Sequence, residues 1–167
     1  TTQGAAKTTT IKTSKNHIEV NYNNTQIITR IIKETFPDFN SVIPEELNLQ
    51  IKINKKTFLE AIKRVSIFSN KTTKQINLTF NSNELTISTE DKETRSSAKE
   101  HVECSFSGEE FSVGYNSQYL KEVVQHTQGE EINVFLSGPL TAAVFKPTIC
   151  EEGEEITTLL MPLRTQE

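Results

Sequence analysis

The sequence of 167 residues contains no tryptophan, only two cysteines and no long hydrophobic run. Cys104 and Cys150 lie far apart and form no Cys-x-x-Cys pair, which excludes the usual zinc and dithiol redox motifs. A membrane-spanning helix needs about 20 consecutive apolar residues, and neither such a run nor a signal peptide is visible. These absences predict a soluble intracellular protein without a metal site.

Excess positive charge and catalytic motifs are also lacking. The 18 lysines and arginines and the 22 aspartates and glutamates give a net charge of −4, so any contact with nucleic acid must come from a local basic face. His17, His101 and His126 are scattered, and the nucleophile-elbow, zincin, P-loop and dinucleotide-binding motifs are absent. We therefore expect a protein that is not an enzyme and uses no cofactor. A hydrolase whose site carries no motif is one alternative.

The first forty residues predict strands without a helix. Strands are expected at 9–13, 17–22 and 26–32, and apolar residues alternate with polar ones in the second, as in a half-buried strand. Three strands alone cannot bury both faces of a sheet, so we expect the sequence to begin inside a domain. Pro37 and Pro44 then bracket apolar residues. This pattern predicts a rigid, extended linker, with an ordinary loop as the alternative.

From residue 49 onward the predicted elements repeat. Each copy has a strand, an amphipathic helix and three further strands, with the helices at 56–68 and 117–127. The predicted inward positions of the two helices match as two sets of three: Phe58, Leu59 and Ile62 with Tyr119, Leu120 and Val123. The strands are predicted at 50–53, 75–80, 84–89, 95–103, 111–114, 131–136, 141–146 and 154–161. The repeat predicts an α+β fold, a duplicated β-α-β-β-β unit with two helices packed side by side on antiparallel sheets.

The last apolar run stops three residues before the end of the sequence, where a chain is normally frayed and polar unless it is tied down. Pro162 lacks an N–H group and cannot be a fully paired position of a central strand. The pattern predicts a last strand along the edge of a sheet, with Leu159, Met161 and Leu163 beside a surface groove. Methionine is a common lining of surfaces that accept varied partners. A plain core strand with a short tail is the alternative, which the residues alone favour.

The first predicted helix begins in a basic stretch. Residues 52–64 contain five basic side chains and one acid, Glu60: Lys52, Lys55, Lys56, Lys63 and Arg64. The second helix carries Lys121 beside Glu122. A positive helical face in an acidic protein suits non-specific contact with phosphates. A solvated face without a partner is an equal alternative.

Several motifs, in this order and spacing, resemble the bacterial DNA sliding clamp, the beta subunit of DNA polymerase III. They are the β-α-β-β-β repeat, the FPDF linker followed by Val42-Ile43-Pro44, Ser69-Asn70 after the first helix, Tyr115-Asn116-Ser117-Gln118-Tyr119-Leu120 at the start of the second, and the closing Leu160-Met161-Pro162-Leu163-Arg164. The resemblance covers about residues 9–164. It implies the DNA-clamp fold, with the end of the middle clamp domain at residues 1–40 and a complete C-terminal clamp domain at 41–167.

In this family two three-domain subunits close head to tail into a ring around duplex DNA. The ring slides along the DNA and tethers the polymerase, which raises processivity, and it does no chemistry. The resemblance implies that Lys63, Arg64 and Lys121 face the DNA, and that Ile67 and Phe68 form apolar contacts between subunits beside an edge strand. It also implies a cytoplasmic, nucleoid-associated protein that is a homodimer when full length. We expect no closed ring from the present sequence.

The family's partners are polymerase subunits, the clamp loader and repair proteins, which insert a short extended peptide into a pocket between the middle and third domains. The matching positions are Pro37, Val42, Thr73, Asn116, Tyr119, Leu140, Ala142, Leu159, Met161, Pro162, Leu163 and Arg164. Thr73 and Ser41 depart from the family, because some relatives carry a large aromatic residue and an arginine there. These departures predict a shallower, less charged side of the pocket. A generic β-rich interaction module without a role on DNA is the remaining alternative.

Overall fold

A computed structural model describes residues 8–36, 38–106 and 108–164. The chain divides into two compact units, Thr1–Asp38 and Phe39–Glu167. In the first unit, strands β1 (Thr9–Thr13), β2 (His17–Tyr22) and β3 (Thr25–Arg30) form an antiparallel sheet in the order β1-β2-β3. The three predicted strands are confirmed. The assignment of residues 1–40 and 41–167 to two clamp domains stays a prediction.

The linker is not extended throughout, as the sequence suggested. Phe39–Val42 form a short 3-10 helix at the start of the second unit, and Ile43 N donates to Asn40 O at 3.3 Å. Proline restricts the residue before it, and Phe39–Val42 lie beyond the reach of that restriction from either proline. Pro37 lies outside the described residues.

The second unit contains the predicted repeat. Its elements are β4 (Leu49–Asn54), α1 (Lys55–Ser66), β5 (Gln75–Asn81), β6 (Glu84–Asp91), β7 (Ser96–Phe106), β8 (Phe111–Asn116), α2 (Ser117–His126), β9 (Glu131–Leu136), β10 (Ala143–Pro147) and β11 (Thr158–Leu160). We refer to β4 through β7 as the first repeat and to β8 through β11 as the second. The last strand is much shorter than the predicted 154–161, and α1 ends before Ile67.

The two repeats interlock in one eight-stranded sheet, ordered β11-β10-β9-β4-β7-β6-β5-β8. The first strand of each repeat pairs with a strand of the other repeat, β4 with β9 and β8 with β5. β4 also pairs with the end of β7 in its own repeat. The corresponding pairing of β8 in the second repeat is reduced to a single bridge, in which Leu163 N donates to Gly114 O at 2.8 Å. Pro162, which has no N–H, limits this ladder.

Both helices begin in the same way. Asn54 and Asn116 end their strands in extended conformation, and each side chain accepts a hydrogen bond from the first turn of its helix. The first N–H of each helix then donates to a loop of the other repeat at 2.8 Å, Lys55 N to Glu130 O and Ser117 N to Lys74 O. The two capping asparagines are 62 residues apart, so each residue of α1 is equivalent to the residue of α2 that lies 62 positions later in the sequence.

This equivalence corrects the sequence-based match of the helices by one residue. Phe58 corresponds to Leu120 and Ile62 to Val124, and all four side chains are buried. Tyr119, predicted to face inward, is 59% exposed. Tyr119 and Leu120 are adjacent and both apolar, so the apolar pattern alone could not decide between them, whereas the capping residue fixes where the helix starts.

The core lies between the sheet and the two helices. Alternate residues of the central strands point into it, among them Ile51, Ile53, Ile76, Leu85, Ile87, Ile132 and Phe145. Burying one such side chain contributes roughly 1.5–3 kcal/mol. The helices pack side by side, and Lys55 Nζ at the start of α1 donates to Thr127 O at the end of α2 at 2.6 Å. The predicted packing of two helices on antiparallel sheet is confirmed.

Candidate functional site

The C-terminal segment is partly core strand and partly exposed edge. In β11, Leu159 pairs with Val144 and Leu160 with Ala143. Leu160 is only 8% exposed and belongs to the core, whereas Leu159 is half-buried and Met161 is 58% exposed. The chain then crosses to β8 through Leu163. The interpretation as a core strand therefore holds for Leu160, and the interpretation as an edge beside a surface groove holds for Leu159 and Met161.

The start of α2 lies beside this segment, because Asn116 ends β8 two residues after Gly114, the residue that Leu163 bridges. Asn116 Oδ1 accepts hydrogen bonds from Gln118 N at 2.9 Å and Tyr119 N at 3.4 Å. Asn116 Nδ2 donates to Thr73 O at 3.3 Å. This one side chain therefore connects α2 to the loop after α1, and it brings Thr73, Asn116 and Tyr119 together.

The remaining predicted pocket residues differ in exposure. Leu140 lies in the loop between β9 and β10 and is 65% exposed, whereas Ala142 is buried just before β10. Arg164 is exposed and Pro162 is half-buried. Val42 is exposed in the short 3-10 helix. Besides Val42, the large apolar side chains of this set that the second unit leaves exposed are Tyr119, Leu140 and Met161, and we call these three the apolar rim.

A buried carboxylate holds the loop that carries Thr73. Asn70 Oδ1 accepts hydrogen bonds from Thr72 N at 2.9 Å and Thr73 N at 3.1 Å, while Asn70 Nδ2 donates to Asp91 Oδ1 at 3.3 Å. Thr94 Oγ1 donates to the other oxygen of Asp91 at 2.9 Å. Hydrogen bonds from Thr94 and Asn70 lower the pKa of Asp91, so its carboxylate stays ionised.

Sequence reasoning missed Asp91 as a positioning residue. Its signal is weak, because an aspartate at the end of a strand before a turn is common, and nothing in the sequence connects it with Asn70, 21 residues earlier.

The predicted DNA-facing residues do not form one uniform face. Lys63 is exposed and Lys121 is half-buried, and both lie on helices. Arg64 instead forms a two-point ion pair with Glu100 of β7, in which Nε donates to Oε2 at 3.1 Å and Nη2 donates to Oε1. This hydrogen bonding raises the pKa of Arg64 and lowers that of Glu100. A phosphate would have to compete with Glu100 for Arg64.

The predicted subunit-interface residues lie beside an open strand edge. Ile67 is 77% exposed and Phe68 is 44% exposed, and Ser96 Oγ at the start of β7 donates to Phe68 O at 3.3 Å. β7 pairs with β6 on one side from 96 to 103, whereas its pairing with β4 covers only 104–106. The predicted edge strand is therefore an edge along most of its length and interior at its end. A groove of about 540 Å³ follows this edge and includes Arg64 and Glu100 in its lining.

Within residues 8–36, 38–106 and 108–164, no cluster of three or more His, Cys, Asp or Glu side chains could hold a metal ion. The two helices in this part of the chain are too short and polar to cross a membrane.

Residues 40–164 match the protein family described as DNA polymerase III beta subunit, C-terminal domain. The beta sliding clamp of Chlamydia pneumoniae is 23% identical over 158 residues, which are 95% of this chain and 42% of that protein. The beta sliding clamp of Rickettsia bellii is 30% identical over 132 residues, covering 74% of this chain and 35% of that protein. The chain thus spans about two fifths of the length of the relatives it matches.

Two solved structures share the fold. The DNA polymerase sliding clamp of Pseudomonas aeruginosa, determined with a ligand, superposes with a TM-score of 0.82 at 22% identity, covering 93% of this chain and 41% of that one. The Bartonella birtlesii sliding clamp, bound to griselimycin, gives a TM-score of 0.82 at 24% identity with coverage of 93% and 41%. These superpositions confirm the clamp fold expected from the motifs.

Proposed function

The chain belongs to the DNA polymerase III beta subunit family and contains its C-terminal domain, and on that premise we propose that the whole protein is a replication processivity factor. In this role it encircles duplex DNA and tethers polymerase subunits, the clamp loader and repair proteins through short linear peptides. Membership of the family favours this function over a generic β-rich interaction module. The proposed role is that of an accessory subunit without chemistry of its own, in the cytoplasm at the nucleoid.

The observation that carries the peptide-binding role is the apolar rim. Tyr119 and Met161 are each more than half exposed, yet the residues beside them, Leu120 and Leu160, are in the core. The backbone around the rim is fixed by the bridge between Leu163 and Gly114 and by the cap of α2. Rigidly held, exposed apolar side chains suit the binding of a few apolar anchors of an extended peptide.

The Bartonella birtlesii clamp, which shares this fold, was solved with griselimycin bound, so a clamp of this fold accepts a ligand. We propose that the matching pocket positions of this chain, including Leu159, Pro162, Leu163 and Arg164, line a ligand site around the apolar rim.

For duplex DNA, we propose that Lys63 and Lys121 make loose contacts with phosphates from the helical face. Such contacts carry no sequence information and therefore allow sliding. Arg64 is expected to contribute less than these lysines, because Glu100 already binds its guanidinium group.

For assembly, we propose that Ile67, Phe68 and the open edge of β7 contact a second subunit when the protein is full length. An exposed strand edge presents unpaired N–H and C=O groups, and another chain can pair with them. The acidic residues on this strand, Glu100 and Glu103, are diluted by Ser96, Ser97 and Lys99, so apolar contacts are expected to matter more than ion pairs.

The experiment is a fluorescence titration of a Gln/Leu/Phe-type clamp-binding peptide against the chain, the Met161→Ala variant and an Ile149→Ala control. Ile149 is 78% exposed and lies outside the apolar rim, so it tests the loss of an apolar side chain as such. Saturable binding that weakens about tenfold in Met161→Ala and not in Ile149→Ala is expected, since a central apolar anchor contributes more than 1 kcal/mol. The absence of saturable binding, or equal loss in both variants, would contradict the peptide-binding role.

A further inference from the structure

A basic groove of about 320 Å³ lies between the end of α1 and the start of α2. Three lysines, Lys71, Lys74 and Lys121, line it, together with Ile67 of the proposed subunit interface and neutral polar residues such as Asn70 and Gln118. No carboxylate is among its lining residues in the described part of the chain. The net charge of the whole sequence is −4, so the groove is a local concentration of positive charge. We call it the lysine groove.

The lysines of the groove differ from the paired basic residues elsewhere in the second unit. Lys52, Arg64 and Lys146 each form an ion pair with a glutamate. Lys74 Nζ instead donates to the neutral Oε1 of Gln118 at 2.6 Å, and no ion pair of Lys71 or Lys121 occurs among the described residues. Lys71 and Lys74 line the groove without an acidic residue in its described lining, so an anionic partner is stabilised there, and Lys121, which is proposed above to contact DNA, adds to the same positive field.

The backbone that carries the lysines is held in place. Lys74 N donates to Asn70 O, and Lys74 O accepts from Ser117 N, both at 2.8 Å. Asn70 is in turn bonded to the buried Asp91. Lys71 and Lys74 therefore project from a fixed loop and Lys121 from α2, which reduces the entropy lost when they bind an anion.

The lysine groove adjoins the apolar rim. Thr73, next to Lys74, accepts a hydrogen bond from Asn116, and Gln118 of the groove precedes Tyr119 of the rim. An extended peptide advances about 3.3 Å per residue, so one anchored against Tyr119 reaches the groove within a few residues of its anchor. We propose that the lysine groove binds acidic side chains that flank the apolar anchor of a partner peptide. This inference rests on the proposed peptide-binding function and names the chemistry of the partner.

The test uses three peptides with one apolar core, flanked at both ends by two glutamates, two glutamines or two lysines. Each is titrated against the chain, a Lys71→Gln/Lys74→Gln double variant, and a Lys92→Gln/Lys99→Gln control that removes the same charge outside the groove lining. The glutamate-flanked peptide is expected to bind the chain about fivefold tighter than the glutamine-flanked one, because exposed ion pairs are individually weak. This preference should shrink with added salt, persist in the control and disappear in the groove variant.

The possible failures are distinct. Equal affinity for the glutamate and glutamine peptides, or a preference that survives in the groove variant, overturns the inference while the peptide-binding function stands. If no cored peptide binds, peptide binding by the rim fails. In that case hexaglutamate is titrated against the chain, and the amide resonances of Lys71, Lys74 and Lys121 are followed by NMR. Saturable shifts of these resonances would support anion binding by the lysine groove, and unchanged resonances would overturn the inference. If the groove variant loses duplex DNA binding but keeps the peptide preference, the groove belongs to nucleic acid and the inference is overturned.

Discussion

The two repeats of the second unit start alike and end differently. In both, a strand ends in a capping asparagine, and a helix then buries two large apolar side chains one turn apart. The first repeat ends in β7, a strand of eleven residues with an open edge, whereas the second ends in β11, a strand of three residues followed by Met161 and Pro162. The basic residues of the helices are also concentrated in α1.

This difference separates what builds the fold from what faces a partner. The positions at which the repeats agree are caps and core contacts, and the chain uses them twice in one interlocked sheet. The positions at which they differ are exposed: a charged strand edge in the first repeat, and an apolar rim beside a proline-interrupted edge in the second. The same frame therefore presents two surfaces, one suited to strand pairing and one to a peptide.

The largest expected effect tests the equivalence of the helices. Phe58→Ala and Leu120→Ala should each lower the free energy of unfolding by about 2–5 kcal/mol, because each leaves a cavity at an equivalent core position. Tyr119→Ala, the position first predicted to face inward, should cost much less. Urea unfolding of the three variants measures this, and a cost for Tyr119→Ala equal to that for Leu120→Ala would refute the offset of 62 residues.

The capping asparagines give the next effect. Asn54→Ala and Asn116→Ala should each lower the free energy of unfolding by about 1 kcal/mol, since each removes a helix cap. The loss should be larger for Asn116, because its bond to Thr73 O connects α2 to the first repeat, whereas the additional bond of Asn54 Oδ1, accepted from Thr57 Oγ1, lies within the start of α1. Thermal and urea unfolding measure the two losses. Finding Asn54→Ala the more costly would show that the bond to Thr73 O contributes less than the bond from Thr57 Oγ1.

A buried tyrosine distinguishes the core positions of the two repeats. Tyr115 corresponds to Ile53 of the first repeat; it is 1% exposed, burial raises the pKa of its phenol, and its hydroxyl has no hydrogen-bond partner among the described residues. Tyr115→Phe should therefore raise the free energy of unfolding by about 1 kcal/mol, because it removes an unpaired buried polar group. A decrease in stability on urea unfolding would show that the hydroxyl is paired in solution.

The smallest effect concerns the loops after the helices. In the first repeat Asp91 holds this loop, and its pKa is lowered in the folded state. Its contribution is full above the unfolded pKa of about 3.9 and is lost as the pH falls through the lower folded value. Between pH 5 and pH 2 the free energy of unfolding should therefore fall less for Asp91→Asn than for the chain with Asp91. Urea unfolding at a series of pH values measures both decreases. An equal decrease in the free energy of unfolding in both chains would contradict this role of the Asp91 carboxylate.

Much of the fold could be predicted because its signals are local. Alternating apolar residues located the strands, and the repeated order of elements gave the α+β fold. The match between the two helices was off by one residue because the first helix was predicted to start at 56, whereas its cap, Asn54, starts it at Lys55. The 3-10 turn at Phe39–Val42 was missed because the prediction of an extended linker relied on the prolines.

The parts of the candidate site that escaped prediction depend on distant pairings. The Arg64–Glu100 ion pair joins residues 36 apart, and the bridge between Gly114 and Leu163 joins residues 49 apart. Neither spacing leaves a periodic signal in the sequence. The apolar pattern near the end of the sequence placed Met161 beside a surface groove, whereas Leu140, and Tyr119 as a pocket residue, could be named only through the family resemblance, since exposure depends on which neighbours the folded sheet supplies.

The most direct test of the central claim is to map the peptide site on the isotope-labelled chain by NMR. With the Gln/Leu/Phe-type peptide, the largest amide shift changes are expected at Asn116, Tyr119, Met161 and Leu163, in the second repeat. The equivalent positions of the first repeat should change little: Asn54, Thr57 and Ser105, which pairs with Lys52 as Leu163 pairs with Gly114. Changes centred on those first-repeat residues, or equal changes in both repeats, would contradict the assignment of partner binding to the second repeat.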